Sequence, residues 1–221
     1  MKLTAFNYGV TEITGKMAFP DGDENIKLPI GLLFFLIEDK DKKILVDTGC
    51  DTMPGFKLYE FESPVKVLES YGVDRGDITD VIVTHSHHDH IDALRHYPQA
   101  VVHIHRDAFE TAGRYLTGSD KVSVFDNSLI LADGIEIRYI GGHSKGSSIV
   151  LISGIEKTFV LCGDECYTKE NLTECIPTGS SACPPKSKLF VEEYRKEKYE
   201  TVLFHDIDIV KGIGYKVLFE S

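Results

Sequence analysis

The sequence predicts a layered α/β fold, with two sheets inside and helices outside. Two observations carry this expectation. Apolar, β-branched runs of strand length recur along the chain with short helical stretches between them. The chemically interesting polar residues, Asp47, His85, His143, Asp164 and His205, each stand just after such a run, and sites in layered folds are often built from strand ends.

The elements follow in order. KLTAFNYG (2–9), GLLFFLIED (31–39) and KKILVDTG (42–49) read as strands, and Lys40, Asp41 and Lys42 supply a hairpin turn between the last two. SPVKVLESYG (63–72) reads as a short helix with Ser63 as cap and Gly72 as stop. ITDVIVTHS (78–86) and AVVHIHR (100–106) are strands, and RDAFETAGRYL (106–116) is a helix. Further strands are expected at SLILADG, IEIRYIGG, SIVLISG and TFVLCGD. PKSKLFVEEYRKEKY is a helix whose Phe190 and Tyr194 share an apolar face with Leu189 beside them, and TVLFHDID closes the pattern as a strand.

Composition narrows the function. With 221 residues and 42% hydrophobic content, the chain is expected to form one domain spanning 1–221. Its net charge of −11 lacks the cationic footprint that nucleic acid or anionic membrane requires. The longest apolar run, GLLFFLI, is too short to span a bilayer, and the N-terminus lacks the apolar core of a signal peptide. Five cysteines without framework spacing fit reduced thiols in a cytoplasm.

The densest signal is THSHHDHIDAL (84–94). His85 and His87, at i and i+2 on a loop, can converge on one metal ion, and Asp89 and His90 can serve a second. A lone histidine after a strand is more often structural than a ligand. Here His143 in GGHSKG, Asp164 in LCGDECY and His205 in LFHDID complete a set. A carboxylate can bridge two ions, so His85, His87, His143 and Asp164 would hold one, and Asp89, His90, Asp164 and His205 the other. The mixed nitrogen and oxygen donors suit zinc and would also accept iron, manganese or cobalt.

This pattern, His-x-His-x-Asp-His followed in order by a histidine, an aspartate and a last histidine, resembles the metallo-β-lactamase superfamily. The resemblance runs from about Gly31 to Asp206 and implies a four-layer αββα sandwich. ILVDTG resembles that superfamily's early strand-end motif, which implies that Asp47 supports the site from behind the ligands. DECYTKENL (164–172) resembles the quorum-quenching N-acyl homoserine lactonases, which implies that Tyr167 points at a substrate carbonyl. Two departures stand out. GHSKGS has Ser147 where those lactonases carry a second histidine, and the stretch from Cys50 to Ser63 is shorter than their pocket loop. The shorter stretch is expected to change the substrate pocket.

The implied chemistry is hydrolysis by a water shared between two ions about 3.5–4 Å apart, made hydroxide near neutral pH. Tyr167 would stabilise the oxyanion and Asp89 would orient the nucleophile and take its proton. A small-molecule lactone or ester fits best, acted on by a monomer or homodimer. Thioester hydrolysis of the glyoxalase II type and phosphodiester cleavage are the nearest alternatives. Glyoxalase II adds a C-terminal helical region that the short stretch after His205 does not supply, and the acidic charge argues against RNA processing. A metal-binding sensor protein is the non-enzymatic alternative. The remaining histidines have plainer expectations. His88 points away from the ions, His96 ends a helix, and His103 and His105 sit on a strand as surface or sheet-packing residues without a carboxylate set. Cys162 and Cys166 are expected as small buried hydrophobes.

Overall fold

The computed structural model describes residues 1–221. Its strands are β1 (Lys2–Thr14), β2 (Lys27–Asp39), β3 (Lys42–Val46), β4 (Glu60–Phe61), β5 (Asp80–Val83), β6 (Val101–His105), β7 (Val122–Phe125), β8 (Ser128–Ala132), β9 (Ile135–Tyr139), β10 (Ser148–Ser153), β11 (Thr158–Leu161), β12 (Tyr199–Val202) and β13 (Gly214–Glu220). The helices are α1 (Gly15–Ala18), α2 (Pro64–Ser70), α3 (His88–Ile91), α4 (Arg106–Ala112), α5 (Lys169–Thr173) and α6 (Pro184–Tyr194). One sheet runs β13-β1-β2-β3-β5-β6-β7 with β4 beside β1, and the other runs β12-β11-β10-β9-β8.

Three apolar clusters mark the three interfaces of four layers. Between the sheets, Leu33, Phe35, Ile37, Ile44 and Val46 meet Ile137, Val150, Ile152 and Leu161. On the outer face of the first sheet, Phe34, Leu36, Leu45 and Val83 meet Val65 and Leu68 of α2 and Ala108 and Ala112 of α4. On the outer face of the second sheet, Ile149, Leu151 and Val160 meet Phe190, Val191 and Tyr194 of α6. This is the αββα sandwich. It also explains why GLLFFLI lacks alternation: successive side chains of a strand point to opposite faces, and β2 is covered on both. Phe35, whose ring meets Phe204 edge-on at 4.7 Å, lies at the sheet–sheet interface. Truncating a ring so buried costs about 3–5 kcal/mol.

Several sequence expectations shift in detail. Lys42 is already in β3, paired with Asp39, so only Lys40 and Asp41 turn the hairpin, with Lys40 at φ 54°. Ser63 makes no side-chain cap for α2; Pro64 opens that helix with its φ already fixed. Leu189 is 64% exposed, because Val191, rather than Leu189, completes the buried face of α6. The strand expected at TVLFHDID ends at Val202. From there the chain crosses to the first sheet, where Phe204 and His205 accept hydrogen bonds from Leu33 and Gly31.

This crossing matters for the site. β3 and β5 are parallel neighbours, as are β11 and β12. Parallel strands place their C-terminal ends on one edge, so Asp47, His85, Asp164 and His205 emerge together.

Candidate metal centre

The structure brings all seven sequence-predicted ligands together. The donor atoms of His85, His87, His143 and Asp164 lie within 4.8 Å of one another, and so do those of Asp89, His90 and His205. Asp164 joins the groups: its Oδ2 is 3.7 Å from His85 Nε2 and 3.6 Å from His143 Nε2, and its Oδ1 is 2.9 Å from His90 Nε2 and 3.1 Å from His205 Nε2. All except His87 and Asp89 are buried.

Three of the imidazoles are aimed by what their other nitrogen touches. His143 donates from Nδ1 to the Ser180 carbonyl at 2.6 Å, and His205 donates from Nδ1 to the Gly31 carbonyl at 2.8 Å. Both Nε2 lone pairs therefore face the cluster. His90 Nδ1 donates to Asp47 Oδ2 at 2.6 Å. Asp47 in turn accepts from the Thr84 amide and hydroxyl, each at 2.7 Å. It is fully buried and held at φ 58°, a conformation a non-glycine residue adopts only under strong local constraint. The supporting role implied for Asp47 thus has its geometry.

The polar groups are unfinished without a cation. His85 Nε2 is buried and has no hydrogen-bond partner, which is unfavourable for a polar atom in a protein interior, and buried His90 Nε2 faces only the Asp164 carboxylate, at 2.9 Å. Burial holds the His85 imidazole well below its usual pKa, and the charge of His90 adds to this, so His85 keeps a free lone pair. For Asp164, burial favours the neutral form, but His90, His205 and His85 outweigh it and hold the carboxyl well below its usual value. Burial likewise lowers the pKa of His87 and His143, so three imidazoles with free lone pairs converge with an ionised carboxylate, a donor set that fits divalent ions.

Tyr167 lies beside the cluster. Its hydroxyl donates to Asp164 Oδ2 at 3.0 Å and its ring stacks on His205 at 5.3 Å. Burial, and then the charge of Asp164, push the phenol well above its usual pKa, so it remains a donor. Asp89 Oδ2 lies 3.6 Å from His90 Nε2. A cavity of about 280 Å³ opens on these groups, walled by Ile13, Met17, Ile30, Met53 and Phe56. Met53 and Phe56 belong to the short stretch after Cys50, which therefore still shapes this pocket.

Other residues fall outside the cluster. His88 contacts the Tyr115 hydroxyl at 3.1 Å and the Thr52 carbonyl at 2.8 Å. His96 ends a 3-10 turn and pairs with Asp51 at 2.7 Å. Cys162 and Cys166 are fully buried. Of the two readings for His103 and His105, the structure has sheet packing: both are buried on β6, and His103 meets a single carboxylate, Asp80, at 2.8 Å. Sequence reasoning also missed Glu165, which is fully buried and accepts from the backbone of Gly142 and His143. Its only sequence signal is a second acid beside Asp164.

The comparisons agree with this geometry. Residues 33–187, well over half of the chain, match the sequence model of the metallo-beta-lactamase superfamily. An N-acyl homoserine lactonase of Bacillus cereus is 27% identical over 208 residues, covering 80% of this chain and 82% of that one. A second N-acyl homoserine lactonase, from Agrobacterium fabrum, is 26% identical over 66% of each chain. The crystal structure of a quorum-quenching N-acyl homoserine lactone hydrolase superposes with a TM-score of 0.82 at 22% identity, covering 95% of this chain and 94% of that one. With its four layers, its clustered ligands and this match in hand, the chain belongs to the metallo-β-lactamase superfamily.

Proposed function

We propose that the protein is a dinuclear metal-dependent hydrolase that opens lactones or esters. The carrying observation is that Asp164 reaches both donor groups, so that one carboxylate can serve two ions. His85, His87, His143 and Asp164 would hold one ion, and Asp89, His90, Asp164 and His205 the other, with zinc the best fit to the donors. Two such ions supply Lewis acidity and a water that is nucleophilic near neutral pH.

The chain's own residues do the rest. The protonated Tyr167 hydroxyl donates to the substrate carbonyl oxygen as it gains negative charge. Asp89 orients the attacking water and takes its proton. The apolar wall holds the non-reacting arm and keeps bulk water away. The likeness to N-acyl homoserine lactonases supports a lactone. The five unpaired cysteines favour the cytoplasm as its location, and the reading takes the protein as a monomer or homodimer.

The test is hydrolysis of a panel by metal-quantified protein, with Asp164→Ala beside it. The panel holds acyl-homoserine lactones of several chain lengths, a simple γ-lactone, a glutathione thioester and a phosphodiester. Lactone turnover that disappears in Asp164→Ala is the expected result. Turnover of the thioester or phosphodiester alone would overturn the substrate class.

A further inference from the structure

Glu165 presents an energetic oddity. It is fully buried beside Asp164, and every partner it has is a neutral donor: the Gly142 amide at 3.0 Å, the His143 amide at 3.1 Å to one oxygen and 3.2 Å to the other, and the Ser147 hydroxyl. A buried carboxylate without a cation is expensive even when hydrogen-bonded. A turn that merely had to close could do so with a neutral residue.

Its partners indicate what that cost secures. All of them lie on the 142–147 loop that carries His143. The carbonyls of the same loop are held from the other side, Gly142 O by Ser181 Oγ and the Cys183 amide, each at 2.9 Å, and His143 O by the Ala182 amide at 3.0 Å. The fit is tight, since a Cβ on Gly142 would come within 2.2 Å of Glu165 Oε2 and 2.5 Å of Ser187 Oγ. Glu165 also ends the Gly163–Glu165 turn that presents Asp164. One turn therefore carries the carboxylate shared by both donor groups and the anchor of His143.

We propose that Glu165 is a positioning residue, which fixes His143 relative to Asp164 through the backbone amides of Gly142 and His143, with Ser147 as its third anchor. Its hydrogen bonds reach the loop of one donor group only, through His143, and none goes to Asp89, His90 or His205. This inference rests on the two-ion reading above.

The test is zinc binding by the full-length protein, counted by mass spectrometry and titrated against a competing chelator, for the parental chain, Glu165→Ala, Glu165→Gln and Ser147→Ala. The parental chain holds two zinc ions. In Glu165→Ala one ion keeps its parental affinity and the other weakens by about 10–100-fold, the range seen when a partner behind a metal ligand is removed. Glu165→Gln retains one accepting oxygen and restores part of the loss; Ser147→Ala gives a smaller loss. If Glu165→Ala does not fold, the two volume-conserving variants carry the test. Parental affinity for both ions in the variants, or equal weakening of both with a lowered Tm, overturns the positioning role. A parental chain that binds fewer than two ions overturns the two-ion reading itself, and this inference with it.

Discussion

The most informative single substitution is Asp47→Asn. It is isosteric, so it leaves no cavity, and Asp47 touches no substrate. The wild-type carboxylate accepts three hydrogen bonds, two from Thr84 at 2.7 Å and one from His90 Nδ1 at 2.6 Å. An asparagine oxygen can still accept from Thr84. With the oxygen kept on the Thr84 amide, which cannot reverse its polarity, the amide nitrogen takes the Oδ2 place and faces His90 Nδ1, where donor meets donor. His90 escapes by moving its proton to Nε2, the nitrogen that faces the cluster, which removes the lone pair an ion needs. The lost charge-assisted bond is worth about 1.5–3 kcal/mol. At the ion this should appear as about 10–100-fold weaker binding, or about 1.4–2.7 kcal/mol. Chelator competition, resolved ion by ion, measures it. The loss should fall mainly on the ion held by Asp89, His90 and His205. Parental affinity for both ions would refute the reasoning.

Three further outcomes are expected. Tyr167→Phe should lower kcat/KM for a lactone about 10²–10³-fold while leaving zinc content unchanged, as steady-state kinetics and metal analysis will show. His88→Ala should bind both ions as the parent does and lose about 1 kcal/mol of stability, or about 2–4 °C in Tm, since its contacts are Tyr115 and Thr52. For Asp80, burial raises the carboxyl pKa, but hydrogen bonds from Lys42, His103 and Thr79 outweigh it and hold the group below its usual value. A carboxyl lowered in this way stabilises the fold above its unfolded pKa, and that contribution is lost as pH falls through the lower folded value. Asp80→Asn should therefore reduce Tm at pH 7 and flatten its decline below about pH 4 in thermal melts.

The candidate donor cluster was legible in the sequence because its chemistry allows few residue types. Imidazole and carboxylate donors clustered on one short segment are visible at once in His85, His87, Asp89 and His90, and His143, Asp164 and His205 each follow an apolar run. What aims them was less legible. The ring partners of His143 and His205 are the carbonyls of Ser180 and Gly31, and a backbone carbonyl leaves no trace in residue type. Glu165 was hidden because an acid in a turn ordinarily faces water. The strand core was readable from β-branched runs, but β13 was not. That strand lies at a sheet edge with much of both faces exposed, so it lacks the buried alternation that marks a strand. The pairing of His103 was hidden for a related reason: its carboxylate partner Asp80 is 23 residues away on the neighbouring strand, a distance no local motif spans.

The most direct measurement of the central claim is lactone hydrolysis as a function of bound metal. The protein would be stripped by chelation and reloaded with zinc in steps, with ions per chain and initial rate read on the same samples. A stripped protein without activity, and a rate that follows the fraction of chains holding two ions, is the predicted result. Hydrolysis that survives stripping, or is complete with one ion per chain, would contradict it.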